Sequence, residues 1–168
     1  MIRRLGLLLA LSFLVSFAAH AQILSSNVEV SAGYSYMRFG SNPEANLNGF
    51  DITGQYRTRE WLGALLDFDG HYGTVGGVHT SINSFMFGPQ VSWPARISPF
   101  AHVLFGLGHY SSKFLGDTSF SWAVGGGIDD HLTDHFSWRI IEGDYMDTNF
   151  ASGTQTSGRI STAIVYRF

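Results

Sequence analysis

Arg159-Ile160-Ser161-Thr162-Ala163-Ile164-Val165-Tyr166-Arg167-Phe168 closes the chain, and its reading decides the fold. Two rows interleave in it: Ile160, Thr162, Ile164, Tyr166 and Phe168 on one side, and Arg159, Ser161, Ala163, Val165 and Arg167 on the other. A period of two is the mark of an extended strand whose two faces meet unlike surroundings.

The same alternation runs back through most of the sequence. In 28–39, Val28, Val30, Ala32, Tyr34 and Tyr36 oppose Glu29, Ser31, Gly33, Ser35 and Met37. After the Ser41-Asn42-Pro43-Glu44 turn signal, Phe50, Ile52, Gly54 and Tyr56 alternate with Asp51, Thr53, Gln55 and Arg57. A third run sets Leu62, Ala64, Leu66, Phe68 and Tyr72 against Gly63, Leu65, Asp67, Asp69 and His71. Further runs are expected over about 80–93, 98–110, 119–128, 135–146 and 156–168. Asp129, Asp130 and Thr133-Asp134 read as a turn, and loops are expected at about 40–48, 73–79, 111–118 and 147–155. Eight runs of about ten residues match the length of tilted membrane-crossing strands, and an even count returns both termini to one side.

A soluble eight-stranded barrel would turn the apolar row inward, whereas a membrane barrel turns it to lipid. The bulky row cannot all fit inside eight strands, and the other row is largely Gly, Ser, Thr, Gln, Asp and Arg. Charged residues make up only 14% of the chain against 15% aromatic, so something other than water faces the aromatics. These cluster at strand ends: Tyr56, Trp61, Trp93, Phe136, Trp138, Tyr166 and Phe168 toward one rim, and Tyr36, Phe50, Tyr72, Phe120 and Tyr145 toward the other. Two interfacial girdles are the expectation.

The opposite end of the chain has a different character. Met1-Ile2-Arg3-Arg4, an apolar run from Leu5, and Ala19-His20-Ala21 before Gln22 follow the order of a secretory signal. The run is too short for a transmembrane helix. Residues 1–21 are expected to be a signal peptide cleaved between Ala21 and Gln22, leaving the barrel as one domain over 22–168. Cleavage removes Arg3 and Arg4, so acidic residues outnumber basic ones and no patch for nucleic acid exists. With no cysteine, disulfide scaffolds and thiolate metal sites are excluded.

The terminal row ending in Phe168 resembles that of the OmpA-type and OmpX-type small outer-membrane barrels, and the likeness covers the whole mature chain in strand count and pattern. Leu104-Phe105-Gly106, Gly126-Gly127-Ile128-Asp129, Arg139 and Asp144-Tyr145 are similar to recurrent segments of the outer-membrane β-barrel domain proteins. The resemblance implies a bacterial outer-membrane location with both termini periplasmic. It implies contact with outer-membrane lipid and lipopolysaccharide, and passage by periplasmic chaperones to the β-barrel assembly machinery. Ile160, Thr162, Ile164, Tyr166 and Phe168 would form the assembly signal. It implies no activity and no cofactor.

Inside the barrel, Glu29, Asp51, Asp67, Asp69, Arg139, Arg159 and Arg167 are the expected charges, with His102 a further candidate; buried charges in a narrow lumen must pair. Strands three and seven stand opposite in a ring of eight, so Arg139 is expected to reach Asp67, similar to the cross-lumen pairs of the OmpA family. Strands one and eight close the ring, which brings Arg167 toward Glu29. In strand seven Arg139 and Glu142, like Arg139 and Asp144, are an odd number of residues apart. A strict pleat would aim both acids at lipid, so a bulge near 141–143 is expected.

A charge-paired plug in a structural or surface-interaction barrel is the reading these features favour, with a small passive pore as the alternative. A lipid-modifying enzyme is more remote: His135-Phe136-Ser137 with Glu142 is similar to the His, Ser and Glu of lipid A deacylases, but the acid spacing departs from that motif. His131, His135, Asp130 and Asp134 read as a solvated turn with weak metal-binding capacity. Gly125-Gly126-Gly127 has no helix after it, so it reads as small residues making room for large neighbours rather than as a phosphate loop.

Overall fold

The computed structural model describes residues 27–39, 45–75, 78–112, 116–150 and 153–168. The expected signal segment and its Ala21–Gln22 cleavage point lie outside the described residues. Eight antiparallel strands follow in chain order: β1 (Val28–Phe39), β2 (Ala45–Arg59), β3 (Leu62–Val75), β4 (Val78–Ser92), β5 (Ile97–Ser112), β6 (Gly116–His131), β7 (Phe136–Phe150) and β8 (Gly153–Arg167). Each pairs with the next, and β8 returns to β1 from Glu29↔Arg167 to Phe39↔Ser157, which closes the sheet. No helix occurs among the described residues.

Closure fixes the shape. From Glu29 the register passes through Gln55, Leu65, Gly88, Leu104, Ala123, Met146 and Ser157 and returns to β1 at Phe39, ten residues along from where it began. With a rise of about 3.3 Å per residue and strands about 4.8 Å apart, that stagger tilts the strands by about 41°. Side chains at one height in the lumen are therefore not ladder partners. They come from positions displaced step by step around the ring.

The two rows separate as their chemistry demands. Tyr34, Phe68, Phe87, Leu107, Phe120, Ile160 and Ile164 face outward, each more than two-fifths exposed, while Ser31, Ser35, Asp51, Thr53, Asp67 and Ser161 are buried inside. An outward apolar belt around a polar interior inverts the soluble pattern. It leaves hydrocarbon as the medium that suits the surface, and ring closure satisfies the backbone there. Aromatic contacts cluster at both rims: Phe136 against Tyr166 and Tyr166 against Phe168 at the end carrying the termini, and Phe50 against Tyr72 and Trp122 against Tyr145 at the far end.

The strands are longer than the expected ten residues, at 12 to 16. Pairing reaches Phe39↔Ala45, Val75↔Val78, Ser111↔Gly116 and Phe150↔Gly153, so strand continues through much of what the sequence assigns to loops. Polar residues in these stretches suit a strand that has left the hydrocarbon, which period and polarity alone do not reveal. Asp129 is a second correction: it belongs to β6 and faces the lumen, and the turn begins only after His131. There Thr133 Oγ1 accepts the Phe136 N–H at 2.9 Å.

The β7 irregularity sits one residue earlier than expected. Ile140 and Ile141 both face outward, and together they oppose Thr162, between the pairs Arg139↔Ala163 and Glu142↔Ser161. This extra residue turns Arg139, Glu142 and Asp144 to the same side. Thr162 Oγ1 donates to the Arg139 carbonyl at 2.9 Å and accepts from Trp138 Nε1 at 3.1 Å, occupying a backbone acceptor freed by the bulge.

Candidate functional site

The interior is layered. At the mouth beside the termini, Glu29 takes two arginines: Arg167 Nε donates to its Oε1 at 2.6 Å, and Arg57 Nε lies 3.0 Å from the same atom. Glu29 and Arg167 are direct cross-strand partners, which accounts for the close approach.

Farther in, Arg139 forms a fork on Asp129, with Nε to Oδ1 at 2.9 Å and Nη2 to Oδ2 at 3.2 Å, and its Nη1 donates to Glu142 Oε2 at 3.0 Å. Its guanidinium carbon lies 4.4 Å from the centre of the Phe100 ring. Such planar, bidentate pairing suits arginine because its donors match a carboxylate edge.

The centre belongs to Arg159, which is fully enclosed. Nη2 donates to Asp67 Oδ2 at 2.6 Å, Nη1 to Asp69 Oδ2 at 2.9 Å, and Nε to Asp144 Oδ2 at 2.8 Å; Asp51 Oδ2 lies 3.3 Å from Nη1. His71 continues the network, with Nδ1 2.9 Å from Asp69 Oδ1 and Nε2 2.9 Å from Ser35 Oγ. His102 Nε2 meets Asp144 Oδ1 at 2.7 Å. Beyond this centre, Met37, Leu47, Ile82 and Met146 belong to a buried apolar cluster on the side of the far hairpins.

Two glycines let the network form. Gly125 lies between His102 on β5 and Asp144 on β7, its ladder partners on either side, and a Cβ there would fall on Asp144 Oδ1. Gly127 lies likewise between Phe100 and Glu142, and its Cβ would come within 2.8 Å of Phe100 Cζ. Side chains two strands apart meet over these bare positions, so the triple glycine makes room as its surroundings suggested.

The expected pair Arg139–Asp67 does not form, and this is a correction. Asp67 binds Arg159, while Arg139 is taken by Asp129, its direct partner across β6–β7. Opposition in a ring of eight says nothing about height along a staggered barrel, and a neighbour on the adjacent strand is closer than the far wall. Asp51, Asp67 and Asp69 do gather, but on Arg159. Asp129, Glu142, Asp144 and His71 join the network beyond the residues expected from the sequence. The parity of Ser121, Ala123, Gly125 and Gly127 already carried Asp129 inward, and the bulge hid the other two acids.

The remaining candidates separate. Ser137 Oγ is 2.6 Å from His131 Nδ1 rather than from His135, whose Nδ1 lies 3.0 Å from the Arg167 carbonyl oxygen; Glu142 is held by Arg139. His135, Ser137 and Glu142 therefore form no nucleophile–base–acid relay. Asp130 faces Arg96 at 3.7 Å. Among the described residues, the donor atoms that converge as a metal site would require are those of His102, Glu142 and Asp144. On β8, Ile160, Ile164 and Tyr166 face outward with Thr162 between them, and Phe168 rests edge-on against Tyr166.

A closed eight-strand barrel with an apolar outer belt, a charged lumen and aromatic rims is the setting in which the family comparison is read. The model of the outer membrane protein beta-barrel domain matches residues 7–168. The chain belongs to this family. Curated proteins yield no match in sequence. Among solved structures, this outer-membrane barrel is similar to Neisserial surface protein A, with a TM-score of 0.73 at 15% identity, covering 86% of this chain and 98% of that one. It is also similar to Ail, the attachment invasion locus protein of Yersinia pestis, with a TM-score of 0.59 at 18% identity, covering 84% and 97%. The N-terminal β-barrel domain of Pseudomonas aeruginosa OprF aligns with a TM-score of 0.51 at 14% identity, covering 83% and 97%. At these identities the likeness is one of fold, and with the family match it places the chain in the bacterial outer membrane.

Proposed function

We propose that this outer-membrane barrel is a closed, non-enzymatic element with a structural or surface-interaction role, its lumen plugged by the paired charges. The observation that carries the reading is Arg159, which draws Asp51 of β2, Asp67 and Asp69 of β3 and Asp144 of β7 onto one guanidinium in the middle of the lumen. Side chains from opposite walls are joined there and an apolar cluster lies beyond them, which argues against a continuous polar file for ions. The surface role leans on the likeness to an attachment protein. In this reading the chain is exported by a signal over 1–21 cut between Ala21 and Gln22, guided by periplasmic chaperones, and inserted by the β-barrel assembly machinery through the row Ile160, Thr162, Ile164, Tyr166 and Phe168. Both termini then stay periplasmic, and the outward belt meets lipid and lipopolysaccharide.

Planar-bilayer recording of the purified, folded protein tests the plug. Expected is an absence of stable unitary conductance at neutral pH, with Arg159→Ala introducing openings. Large, long-lived, ion-selective channels in the unaltered protein would replace this reading with that of a small passive pore.

A further inference from the structure

Inside the mouth, the lumen holds more acid than base. Asp51, Asp67, Asp69, Asp129, Glu142 and Asp144 are buried there with two arginines, Arg139 and Arg159, so four negative charges stand in excess when all six acids are ionised. Even with His71 and His102 both protonated, two remain. Uncompensated charge at such depth is costly and is relieved either by protonation of the acids or by a further cation.

The place for one is specific. His102, Glu142 and Asp144 each offer a donor atom, and these atoms lie within 4.8 Å of one another, all three residues being buried. Each acid is anchored through one oxygen and offers the other. Glu142 Oε2 is held by Arg139 Nη1 at 3.0 Å and by Ser161 Oγ at 3.4 Å, and Asp144 Oδ2 is held by Arg159 Nε at 2.8 Å. The other oxygens turn toward His102 Nε2, Asp144 Oδ1 in a hydrogen bond at 2.7 Å and Glu142 Oε1 at 3.7 Å. Glu142 Oε1 is wholly buried yet has no hydrogen-bond partner; Nη2 of Arg159 is 4.0 Å away. Gly125 makes room for the Asp144 carboxylate beside His102, because a side chain there would occupy the position of Asp144 Oδ1. Two carboxylates held from behind by arginines and meeting one imidazole over a bare glycine have the form of metal ligands oriented by their outer partners.

We infer that His102 Nε2, Glu142 Oε1 and Asp144 Oδ1 bind one divalent first-row transition ion in the lumen. One imidazole and two carboxylates suit the range from Mn²⁺ to Zn²⁺ better than Mg²⁺ or Ca²⁺, which take oxygen alone. A dication halves the excess of four negative charges, replaces the single His102–Asp144 hydrogen bond with three ligand bonds, and gives Glu142 Oε1 its missing partner. The ion would brace β5 against β7 at the height where the two arginine networks meet.

The test uses the full mature chain, folded, stripped with chelator and carrying His131→Gln and His135→Gln to remove the two histidines that flank the β6–β7 turn. Titration with Zn²⁺ is expected to show one saturable equivalent. Both His102→Gln and Glu142→Gln are expected to weaken it by at least about tenfold, the scale on which even outer-shell changes act. Absence of saturable binding, or binding unchanged in both variants, would overturn the site. Should either variant fail to give the heat-modifiable folded band, pulsed EPR of the Mn²⁺-loaded parent decides instead. Coupling to one imidazole nitrogen is expected, and its absence would overturn the proposal.

Discussion

Arg139 and Arg159 occupy neighbouring strands of one barrel, yet they are held by different kinds of neighbourhood. The partners of Arg139 are local: Asp129 is its direct opposite on β6, Glu142 is three residues ahead on its own strand, and Phe100 covers its face. Arg159 instead gathers Asp51 from β2, two strands away, and Asp67 and Asp69 from β3, across the lumen, as well as Asp144 from the adjacent strand. The first arginine staples three neighbouring strands, and the second ties opposite walls. The difference teaches that a narrow barrel is closed twice, once by its backbone ladder and once through its interior.

Removing the central tie should have the larger effect. Arg159→Met leaves four buried carboxylates facing one another without the guanidinium that joins them. Breaking a buried pair costs roughly 3 to 5 kcal/mol, and with four acids exposed to one another the loss belongs at the top of that range. Urea unfolding of the barrel folded into lipid vesicles, followed by tryptophan fluorescence, measures it. A loss below that of Arg139→Met would remove the distinction between staple and tie.

Arg139→Met should cost less, about 3 kcal/mol, because only two carboxylates lose their partner. One of them, Asp129, retains slight side-chain exposure on the side of the terminal mouth, at 6%, where water can enter once the arginine is gone. The same unfolding experiment ranks the two variants. Equal losses would mean that the number of stranded acids does not set the effect, and that the shared acid Glu142 couples both networks into one.

How much of this was legible follows from what each feature needs. The alternation that ends at Phe168 is local and strong, so strand number, the outward row and the inward acids of β1 to β3 could be read without coordinates. The pair Glu29–Arg167 could also be placed, since it needs only the knowledge that the first and last strands meet. That Asp67 stands out of reach of Arg139 could not be seen, because it requires the ten-residue stagger, and no single strand carries that information. The bulge at Ile140–Ile141 left a trace in the odd spacing of Arg139 and Glu142, but its position depends on Thr162, a strand away. Asp129 was hidden differently. Neighbouring Asp130 and the Thr133-Asp134 pair made it look like turn, although two-residue parity from Ser121 already pointed it inward.

The mouth gives the weakest contrast and the finest test. Arg167 shares Glu29 with Arg57, its side chain is 30% exposed, and its loss leaves Glu29 with a second cation at 3.0 Å. Arg167→Gln should therefore cost no more than about 1 kcal/mol, the range of exposed pairs. Screening separates this case from the interior. At an ionic strength of about 1 M the Debye length shrinks to roughly 3 Å, so the Arg167→Gln deficit should largely vanish, while the Arg159→Met deficit, beyond the reach of bulk ions, should persist. Unfolding each variant at low and high salt gives the answer. If salt erased the Arg159 deficit as well, the lumen would have to admit ions, and its centre would be a wet passage rather than a tie between walls.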